Sequence, residues 1–506
     1  MMSAKVGCRN DSDMLRPSGF GFVFLLPLFT CVLIVALFAD FLPPLLGNYS
    51  GQRFFLVVQL VVVGGAALIF SCFAPNASGF FKNWPLFVLS FSFFVLSLPV
   101  SAGPYRWVEP GLYVFFFLVV ALLGWAIWLR RYFVHASLLW VIVSSIACFL
   151  YGAMSLTVYA FAITGDFSNL IDVIPWGFVN MRYWSHLATW LLPLLPLSLL
   201  CGPLRFNRLW RLSVFAAGGL WWWILFLTTS RGSMVSLAVA FVAVLIIFGR
   251  LALPWFLISM RFLLLGVAIW CVLSWGVPGL IFDEVLVRGL HAGSSGRVPL
   301  WLEAFAMSLE NFPFGMGVQS WLTHTILSDE YRVAARFGHP HNMYLMWAAE
   351  YGWLLIAVLL VFIAVTLRRL VVLTERWRCC RPDDLVLLAG FVGAAVAGFA
   401  HAGVSAVFMV PATMCVGFAV LAILWAFVLD APHKNRAFGL VGRQLILQKW
   451  GMATAAFVLV LVGALWFRQV FHYHEAMEQD LVEYGQSNSA LILPRFWLHG
   501  NYPRPE

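Results

Sequence analysis

Apolar runs of about twenty residues recur from residue 20 to residue 469, and they restrict this chain to one kind of solvent. A helix crossing the hydrocarbon core of a bilayer needs about 20 mainly apolar residues. Such runs fall near 20–41, 54–74, 84–101, 111–129, 137–164, 183–201, 212–229, 233–249, 262–281, 343–366, 385–400, 412–429 and 450–469, about thirteen in all. Hydrophobic residues make up 62% of the chain and charged residues 10%, against roughly 25% charged in soluble domains. A soluble chain of 506 residues with that composition has too little polar surface to cover itself. A transmembrane barrel is excluded too, because its strands read as short alternating segments. The sequence predicts an all-α polytopic membrane protein of about thirteen transmembrane helices, with one long loop carrying short helices.

Loop charges orient the helices, since Lys and Arg collect on the cytoplasmic side. The N-terminus carries Lys5, Arg9 and Arg16 and runs into the first apolar stretch without a clear small-residue cleavage site, so it reads as a retained, cytoplasmic start. Counting from there puts Lys82, Arg130-Arg131, Arg205/Arg208/Arg211, Arg250/Arg261, Arg368-Arg369 with Arg376/Arg378/Arg381, and Lys434/Arg436/Arg443/Lys449 on the inside. The net charge of +9 is thus a topology signal, not a nucleic-acid footprint. The other face receives the loop Gly165–Arg182 with Asp166, Asp172 and Trp176, the tip around Arg231, the long loop 282–342, His401, and a tail over 470–506. Arg231, Arg288, Arg297, Arg332 and Arg336 sit on that face against the trend and need another reason. The nine cysteines are scattered with no CxxC, so no disulfide and no zinc site are expected.

Three motifs on that face carry chemistry. Ser230-Arg231-Gly232-Ser233 turns between two apolar runs. Arg231 there is either an interfacial arginine snorkelling to headgroups or an anion ligand, because the guanidinium fork grips phosphate through parallel hydrogen bonds. Gly293-Ser294-Ser295-Gly296-Arg297 leads into an amphipathic helix at Trp301–Met307, and Arg288 precedes it. Two or three cations on one face suit a diphosphate. The turn Asn311–Gly317 follows, and then His339-Pro340-His341-Asn342 enters the next span, with Glu350 on its first turns. His and Asn there either cap the helix or supply a general base, since imidazole titrates near neutral pH. Glu350 either tunes that base or is a satisfied buried carboxylate. No carboxylate or cysteine completes a metal set around the histidines, and the outer loops hold no DxD-like cluster, so no metal or cofactor is expected. Together the arginines can neutralise a departing diphosphate while a histidine activates a hydroxyl.

These residues, in this order, resemble the bacterial O-antigen ligase/polymerase family. The resemblance is carried by Ser230-Arg231-Gly232, Gly296-Arg297 with Trp301, the Asn311–Gly317 turn, and His339-Pro340-His341-Asn342 with Tyr344-Leu345 running to Glu350-Tyr351-Gly352, over roughly residues 212–430. It implies a metal-independent, inverting, GT-C type oligosaccharyltransferase that moves a glycan from undecaprenyl diphosphate to an acceptor hydroxyl at the periplasmic face of the inner membrane. It implies Arg231 and Arg297, with Arg288 as a third candidate, as donor diphosphate ligands. His341 is implied as the base with His339 as the fallback, supported by Asn342, Glu350 and Trp301. The division expected is 1–211 N-terminal spans, 212–430 ligase-like core, 431–469 last basic loop and span, and 470–506 periplasmic tail. Family members use three acceptors: lipid A–core, the growing glycan, or a protein Ser/Thr such as pilin. The outward tail points to protein. The rival of another class is a lipid-linked glycan transporter, disfavoured because the spans hold few ionisable groups away from their ends and show no internal repeat.

Overall fold

The computed structural model describes residues 19–43, 47, 49–72, 79–98, 105–165, 173–178, 180–283, 296–334, 337–431 and 443–487. Among them every regular element is helical. Lipid offers the backbone no hydrogen-bond partner, so an apolar chain must satisfy its N–H and C=O groups within each helix. The principal helices are α1 (Gly19–Leu37), α2 (Tyr49–Cys72), α3 (Trp84–Ser97), α4 (Val108–Leu129), α5 (Phe133–Thr164), α6 (Met181–Leu191), α7 (Arg208–Leu227), α8 (Arg231–Phe248), α9 (Leu253–Trp270), α10 (Arg297–Glu310), α11 (Met343–Tyr351), α12 (Trp353–Cys380), α13 (Pro382–Ala402), α14 (Pro411–Leu429) and α15 (Arg443–Ser487). Ten segments among the described residues are long and apolar enough to cross a membrane; one of them, Arg231–Phe282, joins α8 and α9 through a short turn at Gly249–Ala252.

Helix α14 is the axis of the bundle. All of its residues are buried, from Pro411 to Leu429. Packing between membrane helices depends on close van der Waals fit, and here glycines permit it: Trp190 lies where a Cβ on Gly398 would come within 2.4 Å and one on Gly417 within 3.0 Å. The two ends of α14 differ in chemistry. Near Leu429, the basic side chains meet carbonyls, with Lys82 donating to Leu429 O at 3.2 Å and Arg369 to Lys82 O at 2.8 Å. Near Val410, the aromatic and imidazole residues Tyr49, Tyr183 and His186 gather, and the polar cluster described below sits at this end.

Two expected spans and the tail differ in form. The stretch 183–201 is not one helix: α6 ends at Leu191, and a turn at Pro193 and Pro196 precedes a single helical turn at Leu197–Leu200. Proline lacks the N–H that would continue the ladder. The break is tolerated because it is buried in protein, where Pro193 O accepts from the Trp255 indole at 2.7 Å. The stretch 343–366 is broken at Gly352, which has φ +89°. The tail beginning at 470 is helical at its start, because α15 continues unbroken through 469 to Ser487.

Candidate active site

Helix starts supply the cations. Asn180 caps α6 by accepting from the Arg182 N–H at 2.9 Å, which places Arg182 in the first turn. At the α7–α8 tip the chain reverses through Thr229 (φ +48°), and α8 begins with Arg231. Ser230 precedes it but makes no side-chain cap to the helix backbone, so the helix dipole there is left to favour an anion. Helix α10 begins with Arg297, directly after Gly296 at φ +70°. Arg288 lies outside the described residues, as do Arg336, Asp166 and Asp172.

The three arginines are neighbours. Burial, then the charges of Arg182 and Arg231, hold the Arg297 guanidinium below the ordinary arginine range. Its Nε is buried without a hydrogen-bond partner. Buried polar atoms are nearly always paired, so this donor beside two other cations suits an anionic ligand.

The imidazoles meet this trio. His339 and His341 are both buried, with ring centroids 4.3 Å apart. His341 adopts φ +55°, rare for a residue with a Cβ, and its N–H donates to His339 Nδ1 at 3.1 Å. That bond assigns the His339 proton to Nε2. Both ring nitrogens of His341 are buried and unpartnered. Burial first, then His339, Arg182 and Arg297, hold its imidazole far below the usual histidine range. These surroundings favour the neutral form of His341.

The surrounding segments fix these groups in place. Asn342 caps α11, its Oδ1 accepting from Tyr344 N at 3.0 Å and Leu345 N at 3.1 Å. The capping role and the site role of this motif are thus compatible: Asn342 starts the helix and His341 stands just before it. The Asn311–Gly317 turn closes the other end of α11, with Met316 N donating to Ala349 O at 2.7 Å and Gly317 N to Glu350 O at 3.1 Å. Gly352 is required there, since a Cβ would fall 2.0 Å from Pro313 O. Glu350 is fully buried and accepts from the Trp321 N–H at 3.3 Å. Trp301 packs against a satellite cluster of Leu300, Ala304, Met307, Trp321 and Tyr331, with its indole N–H unpartnered. On α10, Glu303 binds His324 Nε2, Leu327 N and Ser328 N, each at 2.8 Å, and the Ser328 hydroxyl. Burial alone would raise the Glu303 carboxyl, but these hydrogen bonds outweigh it and hold the group below its ordinary value.

Sequence reasoning missed Arg182 and His186 and left His401 open. Arg182 breaks the loop-charge trend in the same way as Arg231, and that was the available signal. His186 and His401 come from distant segments, 219 residues from Ser405 in one case and 168 from Ser233 in the other, so only the fold unites them. His401 stands in the last turn of α13, with its ring 4.8 Å from that of His186.

Fold and site together define a polytopic helical membrane protein that gathers arginines and histidines at one end of its bundle. Residues 214–360 match the O-antigen ligase family model, so this stretch of the chain is similar to that family. The match encloses Arg231, Arg297, His339, His341 and Glu350, and leaves Arg182, His186 and His401 outside. No curated protein matches the chain.

Proposed function

We propose that this protein transfers an oligosaccharide from undecaprenyl diphosphate to an acceptor hydroxyl at the periplasmic face of the inner membrane, with the N-terminus cytoplasmic. One observation carries the reading. A neutral, unpartnered His341 stands within electrostatic reach of Arg182 and Arg297, and Arg297 keeps an unpaired buried Nε. Arg182, Arg231 and Arg297 hold the diphosphate; Arg288 remains a further candidate. His341 takes the proton of the acceptor hydroxyl, with His339 ordering its backbone. The acceptor oxygen bonds to the anomeric carbon as the bond from that carbon to the diphosphate oxygen breaks, so one displacement inverts the centre. The extra negative charge appears on the leaving diphosphate, where fixed guanidinium groups stabilise the transition state more than the ground state. Three cations supply the countercharge without a divalent ion.

The acceptor we propose is a protein Ser or Thr, such as that of a pilin. Helix α15 has 45 residues, roughly 67 Å at 1.5 Å per residue, about twice the hydrocarbon core. It extends well past the membrane and is tied to the long loop, where Gln319 Nε2 donates to Tyr473 Oη at 3.1 Å. Such an extension suits docking of a protein. The test is a gene deletion read on two gels. Loss of mass from pilin with an intact lipopolysaccharide ladder supports a protein acceptor. Collapse of the ladder to bare core, or to core plus one unit, makes the enzyme a lipid A–core ligase or a polymerase instead.

A further inference from the structure

Below the arginines lies a buried polar network that the transfer chemistry does not use. His186 is 0% exposed and His401 2%. The Thr189 hydroxyl donates to His186 O at 2.7 Å. His401 Nδ1 lies 3.4 Å from the Thr189 hydroxyl oxygen. His401 Nε2 faces Ser233 Oγ at 3.4 Å. His186 Nε2 shares a 2.7 Å hydrogen bond with Ser405 Oγ.

From Ser233 the network runs to both arginine-bearing helices. Ser233 and Ser230 hydroxyls are 2.9 Å apart. Ser230 donates to Ser185 Oγ at 2.9 Å, and Ser185 donates to the Arg182 carbonyl at 2.7 Å. The chain of hydroxyls thus begins at the residue before Arg231 and ends on the backbone of Arg182. His401 closes it from behind: a Cβ on Gly232 would lie 3.4 Å from His401 Nε2, so α8 starts in direct contact with the ring. Ser230 is spent on this chain and makes no cap to its own helix, which shows what the hydroxyl is committed to. Satisfied polar networks in a low-dielectric interior rigidify what they join.

We propose that the His186–His401 couple, acting through Ser185, Ser230 and Ser233, is a positioning element that fixes the spacing of Arg182 and Arg231 and so selects a diphosphate over a monophosphate. The inference rests on the diphosphate reading of the arginine site. A monophosphate needs one fork at a time and tolerates a loose pair. A diphosphate engages both forks together and loses affinity when their spacing drifts, because fixed geometry carries the second contact.

The experiment compares undecaprenyl diphosphate with undecaprenyl monophosphate as inhibitors of transfer by the purified full-length chain. In the native protein the diphosphate inhibits more tightly. His401→Phe keeps an aromatic ring without its nitrogens, and Ser185→Ala removes the middle hydroxyl with little change in volume. Both should lower the diphosphate-to-monophosphate preference by roughly tenfold, through weaker diphosphate inhibition alone, and His401→Gln should recover part of it. A brace that were merely structural would lower yield and thermal midpoint while the preference per folded molecule stayed native; an unchanged preference in Ser185→Ala overturns the proposal even if His401→Phe fails to fold. If Arg231→Ala and Arg297→Ala lose diphosphate inhibition while the brace variants keep it, only this inference falls. If the arginine variants also retain it, the diphosphate site itself is wrong.

Discussion

Replacing Arg297 with alanine should weaken catalysis without weakening the protein. This side chain carries an unpartnered buried Nε and two like-charged neighbours, Arg182 and Arg231. An unsatisfied buried donor costs about 1–3 kcal/mol, so its removal relieves that cost. With donor bound, the same fork makes charge-assisted hydrogen bonds worth about 1.5–3 kcal/mol. At 1.4 kcal/mol per decade, that is a loss of roughly ten- to hundredfold in donor affinity or kcat/KM. Arg297→Lys keeps the charge and loses the planar fork, so it should recover only a small part. The assay pairs a thermal midpoint of the detergent-purified protein with donor KM and kcat/KM in a reconstituted transfer reaction. The expected result is a midpoint at or above the native value together with impaired donor use. A lowered midpoint with native kinetics would refute the reasoning and make Arg297 an ordinary packing residue.

His341→Ala should lower transfer by about 10²–10⁴-fold, the range for a lost general base, while the protein inserts and binds donor as before; retention of full activity, with activity lost in His339→Ala, would move the base to His339. The acid limb of kcat/KM should lie below the ordinary histidine value of about 6.5, because burial and neighbouring cations hold His341 down. Arg297→Ala removes one of those cations and should move the limb upward, which a pH–rate series on both proteins checks. The same depressed group stabilises the folded state above pH of about 6.5 and gives that stability up as pH falls below it, measurable as an acid-side drop in thermal midpoint that His341→Gln lessens. Gly352→Ala should prevent accumulation of folded protein, since its Cβ would lie 2.0 Å from Pro313 O at φ +89°; native yield of this variant in membranes would contradict the turn-to-helix packing described for α11.

The sequence alone determined the solvent and the helical class, and it marked the residue types of the candidate site. Long apolar runs admit only helices in lipid, and arginines and histidines out of keeping with their surroundings mark themselves, as Arg231, Arg297, His339 and His341 did. It also predicted where α7 turns into α8 and where Asn342 opens a helix, because capping and turning are local. Packing decided the rest. The breaks at Pro193 and Gly352 occur where a buried neighbour accepts or requires an irregular backbone, and hydropathy does not register neighbours. Glu350 reads in the sequence as a group tuning the base or as a satisfied carboxylate, and only the fold shows that the Trp321 N–H donates to it. Arg182, His186 and His401 join the site from α6 and α13, outside the stretch where the motifs cluster, because the encirclement of α14 brings those helices together. Composition sets which groups cannot rest in lipid, but only three-dimensional closure sets which of them become neighbours.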